Sequence, residues 1–295
     1  MTWTASAMNP PTAAFPAPLV DASELRRLLD SPTPPVVVDC SFDLADPGAG
    51  RRAFAEGHVA GAVYVHLDED LSGPKTGRNG RHPLPDRSAF AATLARLGVT
   101  PGRTVVAYDR QGAMYAARLW WMLRWVGHAQ ARVLDGGLAA WTAAGGAVAS
   151  GDAPAHASAP GLYPVRDALV PTLDADALQR ALGRVTLVDA RAGERFRGEV
   201  EPLDARAGHI PGARNRFFKD NLGADGRFLP PATLRTAFEA LGAAPAEVVH
   251  QCGSGVTACH NLLAMEAAGL HGSALYPGSW SEWSADPARP VAVGA

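Results

Sequence analysis

A cysteine that closes an apolar run and opens a glycine-rich turn is the residue best placed to do covalent chemistry in this chain. Val248-Val249-His250-Gln251 leads into Cys252, then Gly253-Ser254-Gly255, then Val256-Thr257-Ala258. The pattern predicts a buried strand, a tight loop and a helix. A sulfur at that point faces the free N–H groups of the loop and helix N-terminus, which stabilise a thiolate and lower its pKa. The thiolate is the nucleophilic form, so covalent catalysis at Cys252 is the expectation. Gly253, Gly255, Val256 and Thr257 would supply backbone to cradle an anionic sulfur there.

Other cysteine chemistries fit less well. A cysteine-dependent phosphatase needs an arginine to close the loop on a phosphate dianion. Here the sixth residue after Cys252 is Ala258, and the loop has no arginine. A Cys252/His250 pair is also unsupported, because i and i+2 on a strand share a face at ~7 Å with nothing to orient the imidazole. Cys40 and Cys259 are expected to be small buried hydrophobes. Three cysteines with no CxxC argue against a disulfide framework and a zinc site. No His, Cys or carboxylate cluster has metal-ligand spacing, and no nucleotide loop is present, so neither metal nor cofactor is expected.

The elements that must hold this loop occur twice. Val36-Val37-Val38-Asp39 matches Leu187-Val188-Asp189, and Gly57-His58-Val59-Ala60-Gly61-Ala62 matches Gly208-His209-Ile210-Pro211-Gly212-Ala213. Thr104 to Asp109 matches Glu247 to Cys252, and Arg132 to Gly137 with Trp141 matches Ser273 to Ser279 with Trp283. The order is the same in both halves, as in two copies of one domain. Strands are expected at Val36–Asp39, Val105–Tyr108, Arg132–Leu134, Val185–Asp189, Val248–Gln251 and Ser273–Tyr276. Helices are expected at Asp21–Leu29, Arg87–Leu97, Tyr115–Trp125, Leu173–Leu182, Ala232–Leu241 and Val256–Ala268. Apolar strands alternating with helices predict an α/β fold, each copy a parallel sheet with helices on both faces. The domains are placed at 19–142 and 171–290, with an Ala-, Pro-, Gly- and Ser-rich linker at 143–170. Asp109 stands where the second copy has Cys252, so the first copy cannot act through sulfur, and a cleft between the copies is expected.

Composition narrows the setting. The chain has 295 residues, 47% hydrophobic and 19% charged, with a net charge of −2. That allows a sizeable core, and the absence of a basic tract speaks against nucleic acid and anionic membrane. No run of ~18 apolar residues suggests a membrane span. Met1 to Pro18 resembles a loose tail without signal-peptide features, so a cytoplasmic protein is expected. Two fused copies make a monomer the expectation.

These motifs resemble the tandem-domain rhodanese (sulfurtransferase) family over about residues 19–290. Gly208-His209-Ile210-Pro211-Gly212-Ala213, Cys252 to Ala258 and Tyr276-Pro277-Gly278-Ser279-Trp280 carry the resemblance. The Cys-Gly-Ser-Gly-Val-Thr loop looks like the mercaptopyruvate branch, whereas the thiosulfate branch typically has Cys-Arg-Lys-Gly-Val-Thr. The resemblance implies a Ser254, His82, Asp68 set beside the cysteine. It also implies two substrate arginines. One maps to Arg195. The other should follow Glu201-Pro202, where this chain has Leu203-Asp204, and Arg206 is the candidate to replace it.

The implied reaction is a two-step displacement. Cys252 takes sulfur from a small-molecule donor, 3-mercaptopyruvate or alternatively thiosulfate, and becomes a persulfide. A thiol acceptor such as thioredoxin, or cyanide, then removes the outer sulfur. Ser254, His82 and Asp68 would move a proton to the departing pyruvate enolate, and Arg195 would grip a carboxylate. Plainer roles stay open: Ser254 as a helix cap, His82 and Asp68 as solvated loop residues, Arg195 in a salt bridge. A non-catalytic sulfur-carrier or binding module also stays open. His58 and His209, present in both copies, are expected to specify the fold, and Trp120, Trp121 and Trp125 to lie in the core or between the domains.

Overall fold

The computed structural model describes residues 15–152 and 161–295. Residues 1–14 of the expected tail and 153–160 of the expected linker lie outside the described residues. Among the described residues no helix is long and apolar enough to cross a membrane.

Two all-parallel sheets form. The first runs in the order Leu19–Val20, Ala131–Leu134, Val105–Tyr108, Val36–Asp39, Val63–Tyr64. The second runs Ala274–Leu275, Val248–Gln251, Thr186–Asp189, Arg214–Asn215, and Thr172 bridges to Leu275 where the first copy has a full edge strand. The central strands match the expected ones, and Val36, Val248 and their neighbours pair in the same register in both copies. The expected linker does not hang free. Val148–Ala149 pairs antiparallel with His58–Val59, and Tyr163 reaches His128 at 2.9 Å, so its flanks pack on the first domain.

Strand alternation sorts the core into three parts. Val37, Val106 and Tyr108 point to the outer face of the first sheet, with Phe54 and Trp141. Leu187 and Val249 point to the outer face of the second, with Trp280 and Trp283. Val36, Val38, Val105, Val188 and Val248 point inward to one cluster shared by both domains. Two helices fill that shared layer, Ala116–Trp125 and Thr257–Ala267, and they pack on each other. Both are buried almost all round, as helices sandwiched between two sheets must be. Trp120 and Trp121 lie in this layer, fully buried.

His58 and His209 take up equivalent structural places. Each ring stacks on a phenylalanine, Phe54 at 3.8 Å and Phe196 at 3.9 Å between centroids. Each Nδ1 lies 2.8 Å from that residue's own carbonyl oxygen, which accepts its proton.

Candidate active site

Cys252 follows the strand Val248–Gln251 at the carboxyl edge of the second sheet, where open parallel sheets bind ligands. The loop that follows is tied down at several points. Gly255 has φ 75°, and a Cβ there would lie 2.1 Å from the Pro277 carbonyl oxygen, so only glycine fits. Trp280 and Ser281 N–H groups donate to the carbonyls of Cys252 and Gly253, both at 2.9 Å. The Cys252 N–H donates to Ser279 Oγ at 3.1 Å, and Ser279 itself sits at φ 55°, a strained conformation for a non-glycine residue. Ser279 escapes notice in the sequence because its role depends on this approach.

The loop lines a cavity of about 190 Å³ between the domains. Cys252, Gly253, Ser254, Val256 and Thr257 face it from the second domain, and His82 and Arg81 from the first. Gly255 lies behind the loop.

Ser254, His82 and Asp68, expected to relay a proton, come together from both domains. Ser254 Oγ lies 2.7 Å from His82 Nδ1, and His82 Nε2 lies 3.6 Å from Asp68 Oδ1. Burial is the largest influence on His82 and pushes its pKa down to about 3, against the pull of Asp68. The imidazole is therefore neutral near pH 7. With its Nε2–H turned to Asp68, Nδ1 accepts the Ser254 hydroxyl proton. Asp68 also holds Lys75 Nζ at 3.0 Å.

Two guanidinium groups flank Gly253. A Cβ on Gly253 would lie 2.9 Å from Arg81 Nη2 and 3.5 Å from Arg195 Nη1. Arg195, on the short helix Gly193–Phe196, is held by Glu201 at 2.6 Å. Arg81 is held by an ion pair with Asp204, whose other oxygen lies 3.5 Å from Arg195 Nη2. Behind them Arg191 bonds Asp189 at 2.7 Å and Glu201 at 3.3 Å, and stacks over Trp280. Burial raises the Asp204 pKa, with Arg81 opposing.

Arg206 is placed elsewhere. Its guanidinium donates to the carbonyls of Ser284, Arg289, Trp283 and Asp286, closing the end of the helix Ser279–Ala285. It does not line the cavity, which Arg81 from the other domain and Arg195 do. The one sequence signal for Arg81 is its place directly before His82.

The remaining sulfurs are sealed away. Burial pushes Cys259 up to about 12, and Cys40 is raised as well, with burial again the leading cause. His250 lies 3.0 Å from Met265 Sδ inside the core and is kept neutral by burial.

The first copy shows what its loop can hold. Asp109 is buried, and its carboxylate accepts four backbone N–H bonds, from Gln111, Ala113, Tyr115 and Ala116 at 2.7 to 2.9 Å. Gln111, Ala113 and Tyr115 align with Ser254, Val256 and Ala258. A loop of this length can therefore surround an anionic group with amides. Burial still raises the Asp109 pKa, against the pull of those amides.

Comparison with known proteins places this geometry. The family description "Rhodanese-like domain" matches residues 21–144 and again 174–286. A Pseudomonas aeruginosa protein named as a probable 3-mercaptopyruvate sulfurtransferase is 48% identical, over 94% of this chain and 99% of its own. A Mycobacterium tuberculosis protein carrying a thiosulfate sulfurtransferase name is 40% identical, over 94% of this chain and 97% of its own. The solved structure of 3-mercaptopyruvate sulfurtransferase from Leishmania major superposes with a TM-score of 0.79 at 34% identity, covering 90% of this chain and 74% of that one.

Proposed function

This chain belongs to the rhodanese family, and from that premise we propose that it is a sulfurtransferase that moves sulfur from 3-mercaptopyruvate through a Cys252 persulfide to a thiol or cyanide. The observation that carries the choice of donor is the 2.7 Å contact between Ser254 Oγ and His82 Nδ1 beside the cysteine. A carbon leaving group, the pyruvate enolate, needs a proton when its bond to sulfur breaks, and a sulfite leaving group does not.

In the first step the Cys252 thiolate attacks the donor's thiol sulfur. The new S–S bond forms as the S–C bond breaks, and its electron pair goes to carbon as the pyruvate enolate. The donor's thiol proton ends on that carbon, giving pyruvate and leaving the persulfide as an anion. Ser254 and neutral His82 form the path for this proton, and Asp68 steadies the imidazole while it is charged. Loop amides would hold the persulfide anion as the first copy's loop holds Asp109. Arg195 and Arg81 would grip the carboxylate from two sides. In the second step an acceptor thiol takes the outer sulfur as a persulfide of its own, and Cys252 returns to thiolate.

One observation favours thiosulfate as an alternative donor. The Cys252 loop has no cation of its own, yet Arg81 and Arg195 bring two to Gly253, enough for a dianion. Initial rates with 3-mercaptopyruvate and thiosulfate, measured side by side, test the assignment. A higher kcat/KM for thiosulfate would reverse it. Mass spectrometry after donor treatment should find one added sulfur on the Cys252 peptide. Cys252→Ser should abolish turnover, and sulfur on Cys40 or Cys259 instead would overturn the mechanism.

A further inference from the structure

Arg118 is a fully buried cation that the reaction outlined above does not use. It stands in the helix Ala116–Trp125 of the first domain, amid apolar neighbours. Among the described residues no Asp or Glu pairs with it. Its guanidinium instead donates to three carbonyls: Gly255 at 2.9 Å, His82 at 3.1 Å and Leu71 at 3.3 Å. Burial is the leading influence on it and lowers its pKa, with Cys259 and Cys252 opposing. A buried charge without a counter-charge costs several kcal/mol, so an arginine here needs a reason beyond packing.

Its partners supply that reason. Gly255 belongs to the loop that carries Cys252 and Ser254. His82 belongs to the first-domain segment that carries the relay imidazole. One planar group thus fixes the spacing between the two halves of the site, and it places a positive charge on the carbonyl of Gly255, in the loop that carries Cys252. We propose that Arg118 is a positioning residue for the reaction at Cys252, setting the cysteine loop against His82 and favouring the anionic form of its sulfur. The proposal rests on Cys252 being the nucleophile, but not on the identity of the donor.

Arg118→Met and Arg118→Lys in the full chain test it. Lysine keeps the charge but cannot span three carbonyls in one plane. Two quantities are read: kcat and KM with 3-mercaptopyruvate, and the pH midpoint of Cys252 alkylation by iodoacetamide. The second needs no donor, so failure of the donor assignment leaves it readable. The other charged or titratable groups facing the loop are Arg81, His82 and Tyr115 from the first domain and Arg191, Arg195 and Cys259 from the second. Asp68, Asp204 and Glu201 stand behind them, and all are unchanged in the variants.

For Arg118→Met, kcat should fall about tenfold to a hundredfold with KM within about threefold. The alkylation midpoint should rise by about one pH unit. Arg118→Lys should lower kcat while keeping the midpoint near that of the parent. A folded Met variant with parental kcat and midpoint overturns the proposal. If the Met variant does not fold, the Lys variant decides: undiminished kcat there overturns it, and a reduced kcat at unchanged KM supports it.

Discussion

Asp204 of the second domain holds Arg81 of the first beside Gly253, with its other oxygen 3.5 Å from Arg195 Nη2. One carboxylate therefore sets the spacing of two cations that come from different domains. The acid two residues after Glu201-Pro202 is thus paired with an arginine of the other domain.

The pair should act as a unit on carboxylate donors. Arg195→Ala and Arg81→Ala should each raise KM for 3-mercaptopyruvate about tenfold or more, the worth of one or two charged hydrogen bonds. For thiosulfate the rise should be smaller. Equal effects on the two donors would argue against carboxylate recognition.

The two loop glycines should respond differently to an added methyl group. At Gly253 the clash is with the flexible end of Arg81, so Gly253→Ala should fold normally and raise KM by displacing that guanidinium. At Gly255 the clash is with the rigid Pro277 carbonyl at positive φ, so Gly255→Ala should cost about 3 kcal/mol or more of stability. Urea unfolding alongside steady-state kinetics separates the two. A kinetically silent Gly253→Ala would remove Arg81 from the binding site.

Arg206 offers a control. It donates to four carbonyls at a helix end and lies away from the cavity. Arg206→Ala should lower stability by about 2–4 kcal/mol, with several charged hydrogen bonds lost together, and leave KM for both donors unchanged. An altered KM in a folded variant would return Arg206 to the substrate site.

Stability should fall in mild acid. His82, His128, His250 and His260 are buried, and loss of water holds them at about 3, about 4, about 3 and about 4. Each lies below the unfolded value of about 6.5. Within that window the unfolded chain binds more protons, so stability is present above about pH 6.5 and is lost as pH falls. Each histidine contributes up to about 1.4 kcal/mol per pH unit. Asp39 and Asp109, raised by burial, act with the opposite sign, losing their contribution as pH rises above the usual carboxyl range. Thermal melts from pH 7.5 to 5 should show a steep decline, shallower in His250→Gln. A flat profile would mean that these rings are not buried neutral.

What could be read from the sequence was local or repeated. The Cys252 loop is a contiguous strand, turn and helix, so its local structure was visible without tertiary information. The duplication exposed the two sheets, because buried parallel strands leave unbroken valine runs such as Val36-Val37-Val38. Arg81 and Arg118 were hidden because their contacts exist only when the domains meet, although Arg118 inside the apolar stretch 116–123 was a signal. Arg206 was a candidate by its place shortly after Glu201-Pro202, and only the folded chain shows its guanidinium on the carbonyls of a helix end. Short edge strands such as Leu19–Val20 and Val63–Tyr64 leave too few residues for any periodicity to register.

The domain contact has a second half. Arg118 of the first copy bonds the Gly255 carbonyl, and His260 of the second copy lies 2.9 Å from the carbonyl of Gly112, the matching glycine in the first. Each loop is thus pinned by the helix of the other copy. The copy with Asp109 in place of Cys252 is consequently not free to drift: a substitution at its surface with the second domain would be felt at the Cys252 loop. Separated from its twin, the cysteine-bearing half would keep its sulfur and lose the imidazole, one guanidinium and the cation behind the loop.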